Sequence, residues 1–286
     1  MWQRAEDDNA SLRLVTWLAP SIPLAFYERI GRVLAKALKR PVEVASRTNR
    51  SGPTPEDDPF ARGEADVGFI CAPSYLSLRA QPSRSIVGLG VAPLFDDSRN
   101  AGQPVYYATV VVRRDHPAKS ISDLHGGCFG YNDPVSLSGW WGMASALASL
   151  GTSPSRFFGR VRLTGSHAGS IEALVRKTVD AITIDSTLLT LAAVGASPRL
   201  PADVRVLTSI GPFPIQPIVV RAGVARTTRA IIRDALRAQG PWPSMGLVGF
   251  VPQPDAVIAH LSLGDLEPAP PEHVASAREA LDDWLV

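Results

Sequence analysis

Cysteine is scarce, with only Cys71 and Cys128 in 286 residues. They lie far apart and fit no C-x-x-C or Cys/His spacing. That excludes a patterned metal site and a disulfide framework, and leaves two buried thiols as the simple reading. No stretch approaches the 18 consecutive apolar residues of a membrane span. No block of like charge is long enough to form a tail, and 29 basic residues nearly balance 27 acidic ones, for a net charge of +2. A clustered basic stripe and nucleic-acid modules are both absent from the pattern. So are the P-loop, the dinucleotide fingerprint, H-E-x-x-H, the EF-hand and the G-x-S-x-G nucleophile elbow. The opening residues, Met1 to Trp17, contain no basic segment followed by an apolar core. The expectation is therefore a cytoplasmic protein, or a periplasmic one whose leader has been removed.

What remains is ordinary globular material, 45% hydrophobic and 20% charged, with 25 prolines marking many short loops. Its length suits one large domain or two lobes. Leu12 to Leu18 reads as a buried strand, Ser21 to Leu38 as an amphipathic helix and Val42 to Ala45 as a second strand. This strand–helix–strand order is typical of a parallel α/β sheet. The apolar face of the helix is expected from Leu24, Tyr27, Ile30, Val33, Leu34 and Leu38. Ala65 to Cys71 and Ser85 to Leu94 are further strands, with a helix opening at Pro73. A polar stretch at Asp96 to Gly102 marks a crossing between lobes, followed by the β-branched and aromatic strand Val105 to Arg113. Further strands are expected at Arg160 to Thr164, Val179 to Ile184, Val204 to Leu207 and Pro217 to Val220. Helices are expected from a cap at Ser170, from Asp185, over Thr227 to Ala238 and over Pro271 to Leu285.

The chain is organised around Phe129 to Leu150. A strand end and turn lead into Ser136-Leu137-Ser138-Gly139 and then into a helix predicted from Gly139 to Leu150. A helix start leaves backbone N–H groups without partners and carries partial positive charge. Two hydroxyls and a glycine there form a small anion cradle, although a serine cap with a second solvated serine accounts for the same residues. Two other clusters stand at strand ends or helix starts, Tyr106/Tyr107 and Gly165-Ser166-His167. In a parallel α/β sheet such ends share one edge, where ligands sit. No lysine or arginine falls in the three clusters, so an anion there would be held by dipoles and neutral donors. Each residue also has a plain reading. Tyr106 can be a strand aromatic and His167 a loop histidine held by backbone. Asp133 and Asp185 can be turn or cap carboxylates, and Glu172 a first-turn acid.

In that order and spacing, the clusters resemble the phosphate, phosphite and phosphonate-binding proteins of ABC uptake systems. Pro104 to Val112 is similar to the aromatic crossover strand of that family. Ser120 to Gly127 is similar to its Asp-Leu turn, and Asp133-Pro134-Val135-Ser136-Leu137-Ser138-Gly139 to its D-P-x-S-T-S-G loop. Gly165-Ser166-His167, with Val179-Asp180-Ala181 further on, is similar to its G-S-H helix and following strand. The resemblance covers roughly Ala65 to Arg221. It implies a two-lobe type II periplasmic-binding-protein fold with an interlobe cleft. Lobe 1 is expected from residues 1–102 and 219–286, and lobe 2 from 103–218.

The resemblance also implies oxyanion contacts from Tyr106, Ser136, Ser138 and His167, with Gly139 in the cradle. Gln216 falls where aminophosphonate binders place an acid for the ligand's ammonium. The departures are Leu137 in place of threonine, Ala108 in place of a small hydroxyl residue, and no tyrosine near Pro53. The implied function is a monomeric solute-binding protein closing on a small anionic ligand, phosphonate-like or phosphate-like. It would need no cofactor or metal and would serve an ABC permease or act as a sensor. The alternative is an enzyme on the same fold acting on a small cofactor precursor, with Cys71, Cys128 or a Ser136–His167 pair as nucleophile. A third reading is a ligand-free partner-binding module.

Overall fold

In the computed structural model, residues 11–19, 21–48 and 50–270 are described. The helix expected at 271–285 lies outside them. Strand β1 (Leu12–Thr16) leads through α1 (Leu24–Leu38) to β2 (Val42–Ser46). Then come β3 (Val67–Phe69), α2 (Ala72–Arg79), β4 (Ile86–Gly88) and β5 (Val91–Phe95). The apolar stretch from Ser85 to Leu94 is thus two strands, divided where Gly90 takes a φ of +75° that disfavours other residues. The chain then enters a second body, with β6 (Val105–Arg113), β7 (Cys128–Tyr131), α3 (Gly142–Ser149), α4 (Pro154–Phe157) and β8 (Arg160–Leu163). It continues through α5 (His167–Val175), β9 (Ala181–Asp185), α6 (Ser186–Ala193) and β10 (Val204–Pro214). It finally returns through β11 (Ile218–Arg221), α7 (Arg226–Arg237), β12 (Leu247–Pro252) and α8 (Asp255–Ala259).

Two five-stranded sheets result, ordered β2-β1-β3-β11-β4 and β10-β6-β9-β7-β8, with β5 and β12 in a separate ribbon. In the first sheet β1 runs parallel to β2 and β3, while β11 is antiparallel to both its neighbours. In the second, β7 is parallel to β8 and β9, and β6 is antiparallel to β9 and β10. The parallel strands β1, β3, β7 and β9 therefore end at the edge where the two sheets meet. Each end is followed by a loop or helix start, the arrangement that builds ligand sites in α/β folds. Strand β10 extends past Leu207 to Pro214 with register shifts against β6. The stretch between the strands expected at Val204 to Leu207 and Pro217 to Val220 is in large part strand.

The cores follow the sequence pattern with local exceptions. Helix α1 buries Phe26, Tyr27, Ile30, Gly31 and Leu34, whereas Leu24 is exposed. Phe26 faces inward instead, meeting Tyr27 and Trp242 edge-on and Phe95 at a tilt. The helix expected from Gly139 begins two residues earlier, as a π-helical turn over Leu137–Trp141 that runs into α3. The cap of α5 is Ser166 rather than Ser170, with the Ser166 hydroxyl accepting from the Gly169 N–H at 3.0 Å. Ser170 is buried inside that helix.

Candidate ligand-binding cleft

Between the two bodies lies a cavity of about 50 Å³, lined from the first by Trp17, Arg50, Ser51 and Cys71 and from the second by Ser136, Ser138, His167 and Asp185. Gln216, on the return crossing, lines it too. Of the residues singled out from sequence, the structure thus gathers Ser136, Ser138, His167 and Gln216 at one place.

The second body presents two helix starts to this cavity. Ser136 caps the π turn, its hydroxyl accepting from the Gly139 N–H at 3.0 Å. Gly139 is required by space: a Cβ there would stand 1.6 Å from Asn132 Oδ1. The Thr183 hydroxyl donates to the Gly139 carbonyl at 2.8 Å, tying the turn to β9. His167 opens α5, and its Nε2 lies 3.4 Å from Ser138 Oγ, a long contact. Among the described residues its Nδ1 has no partner at good hydrogen-bond geometry. Burial pushes the imidazole down to about 4, with the Thr183 backbone pulling the other way. The ring is therefore neutral near pH 7 and offers one donor and one acceptor.

Tyr106 does not line the cavity. It is buried behind it, tilted against Phe213, and its phenol lies beside Cys71 and Ser138, with no partner at good hydrogen-bond geometry among the described residues. Burial drives this phenol far above its usual range. Among the described residues, buried polar atoms of Tyr106, Asn132 and His167 near the cradle have no partner at good hydrogen-bond geometry. Unsatisfied buried groups are costly, and their clustering marks a site built to meet something else.

Sequence reasoning did not place Arg50, Ser51, Asp133 or Asp185 in this cavity. Arg50, from the segment after β2, is the one cation among the described lining residues, and the lysine- and arginine-free clusters gave no hint of it. The Ser51 N–H donates to the Asp133 carboxylate, whose other oxygen accepts from the Val135 N–H at 3.0 Å. Asp133 is therefore a turn carboxylate, as its sequence suggests, and also a contact between the two bodies. Burial raises its pKa. Asp185 caps α6, accepting from the Thr187 N–H at 2.7 Å, and its second oxygen accepts from the Gln216 amide. Burial pushes Asp185 up to about 6, opposed by those hydrogen bonds.

Leu137 is fully buried among the first body's core residues, and its N–H donates to Cys71 Sγ at 3.2 Å. At the position where threonine is usual, this chain thus places an apolar bridge between the bodies. Ala108, the second departure, packs under Gly142, whose own Cβ would meet it at 2.8 Å. Trp17 and Ser51 occupy the wall where a tyrosine near Pro53 was sought. The nucleophile candidates of the enzyme reading fit poorly. Burial drives the Cys71 thiol up to about 12, so it stays protonated. The Cys128 N–H is bonded to Asp180 in the second body's core. His167 reaches Ser138 rather than Ser136.

Two α/β bodies meeting across a cleft, with strand ends and helix starts facing inward, define a type II binding-protein architecture. The chain belongs to the family of periplasmic substrate-binding proteins of ABC phosphonate transporters, whose model matches residues 18–258. Its fold is similar to a binding-protein component of an ABC phosphonate transporter from Pseudomonas aeruginosa, with TM-score 0.69, 15% identity and 97% and 96% of the two chains covered. It is also similar to PhnD1 from Prochlorococcus marinus in complex with methylphosphonate, with TM-score 0.70, 14% identity and 87% and 94% covered. A Xanthomonas citri protein bound to ATP has TM-score 0.62, 17% identity and 88% and 94% covered. No curated protein matches the sequence. The protein is thus a solute-binding protein by family rather than an enzyme. Among the described residues no helix is long and apolar enough to cross a membrane.

Proposed function

We propose that the cleft binds a small phosphonate-class ligand with two unlike ends. One end is an oxyanion, held by the Ser136 and Ser138 hydroxyls, the backbone at Gly139 and neutral His167. Tyr106 supports Ser138 from behind. The other end is a donor or ammonium group facing Asp185 and Gln216. The carrying observation is the charge of the cavity: two buried carboxylates, Asp133 and Asp185, against the single Arg50. A ligand bearing only negative charge is disfavoured by that balance, whereas a zwitterion is matched at both ends. The two bodies act as lobes hinged at residues 96–104 and 215–217. Closure on the ligand presents the receptor to an ABC permease.

Thermal unfolding against methylphosphonate, 2-aminoethylphosphonate, phosphate and sulfate tests this. A ligand at 100 times its dissociation constant adds about 2.7 kcal/mol of stability. The larger shift is expected with 2-aminoethylphosphonate. A larger shift with methylphosphonate would remove the ammonium end of the proposal. No shift with either phosphonate would overturn it altogether.

A further inference from the structure

Away from the cleft, helices α1 and α7 lie side by side and leave a groove of about 580 Å³ between them. Arg29, Arg32 and Lys36 form one wall, over Val33 and Ala37, with Ala235 of α7 opposite. The three cations fall at i, i+3 and i+7, one per turn on a single face of α1. Among the described residues no carboxylate lines the groove. On α7, Ile231 shares the face of Ala235 and Ala238 at helical spacing, and it is 44% exposed. A different face of α7 carries Arg226, Arg233 and Arg237.

Together the two helices hold seven cations against two carboxylates, Glu28 and Asp234. The whole chain has a net charge of only +2, so the remainder is acidic overall. Some of these cations are spoken for. Arg29 stacks over Trp242 at 4.2 Å, Arg229 donates to the Val224 and Ala222 carbonyls, and Arg233 pairs with Asp234 at 3.3 Å. Arg32, Lys36, Arg226 and Arg237 take part in no ion pair among the described residues.

We infer that this face of the first body docks on an anionic lipid bilayer. The cations do not converge on a point, as a fork for one carboxylate would. They spread along two helices, which suits a field of mobile headgroups. Long cationic side chains flanking a shallow apolar strip, Val33, Ala37, Ala235 and Ile231, are the pattern of interfacial helices, with stems on apolar surface and charges at the headgroups.

The test is co-sedimentation of the full chain with vesicles of phosphatidylcholine alone or with about one-third phosphatidylglycerol, at low and high salt. Binding is expected only to the anionic vesicles, and to disappear at high salt because the Debye length shrinks. Each cation near the surface contributes about fivefold to the partition constant. The triple variant Arg32→Gln, Lys36→Gln, Arg237→Gln should therefore bind about 100-fold more weakly. The control pair Arg160→Gln, Arg162→Gln, exposed on β8, should bind like the unaltered protein. Unchanged thermal unfolding of the triple variant shows that it folds. Equal binding to neutral vesicles, or equal binding by the triple variant, would overturn the inference. Absence of binding to anionic vesicles at low salt would also overturn it and leave the face to an acidic protein. None of these outcomes depends on what the cleft binds.

Discussion

At the scale of single residues, the cleft combines neutral donors with buried acids. If Ser136, Ser138 and His167 hold an oxyanion in a dry cavity, each is worth about 1.5–3 kcal/mol of binding. Ser136→Ala, Ser138→Ala and His167→Ala should each weaken ligand affinity by roughly 10-fold or more, measured by calorimetry. Three unchanged affinities would place the site elsewhere. Asp185 makes a separate prediction through pH. Its folded value of about 6 lies above the usual carboxylate value near 4. The folded state therefore binds more protons between those limits, and stability falls as pH rises from about 4 to about 6. His167 acts in the opposite sense. Its folded value of about 4 lies below the usual imidazole value near 6.5, so stability falls as pH drops through that window. Asp185→Asn should raise the unfolding temperature at pH 7 in the absence of ligand and leave the histidine-type acid loss alone. A lower unfolding temperature would show that its bonds to Thr187 and Gln216 outweigh the burial cost.

At the scale of elements, the π turn over Leu137–Trp141 sets the cradle. It holds Ser138 toward the cavity while Leu137 crosses to the other body and Trp140 is fully buried. Gly139→Ala should break this arrangement, because the nearest obstacle is the buried Asn132 side chain rather than a flexible tip. Overpacking of this kind costs about 1–3 kcal/mol. Both the unfolding temperature and ligand affinity should drop. A variant that melts and binds normally would mean that Asn132 can move aside. Several elements were legible from the chain alone. The Ser120–Asp123 turn is held by a capping box, which depends only on neighbours in sequence. The π turn was not legible, because it arises from the fit of Leu137 and Trp140 into two different cores.

At the scale of the molecule, the bodies are joined through the cleft by Ser51 to Asp133, Gln216 to Asp185 and Leu137 to Cys71. The segment after α8 adds another crossing: the Glu267 carbonyl accepts from Trp140 Nε1 at 2.9 Å and its carboxylate from Ser155. In this closed arrangement Cys71 is 3% exposed. If the lobes open, the thiol reaches solvent. Alkylation followed by mass spectrometry should therefore label Cys71 faster without ligand than with it, with Cys128 as an internal reference. Equal Cys71 rates would show that the ligand does not bias closure.

The sequence by itself determined the alternation of strands and helices, the serine- and glycine-bearing helix starts and the fold family, since periodicity, capping and short motifs are local properties. Tertiary structure alone decided that Arg50, Ser51, Asp133 and Asp185 share a cavity with Ser138 and His167. It also decided that Tyr106 stands behind that cavity and that Leu137 serves the opposite body. Those placements come from strands far apart in sequence ending at one edge, and no local pattern records which ends will meet.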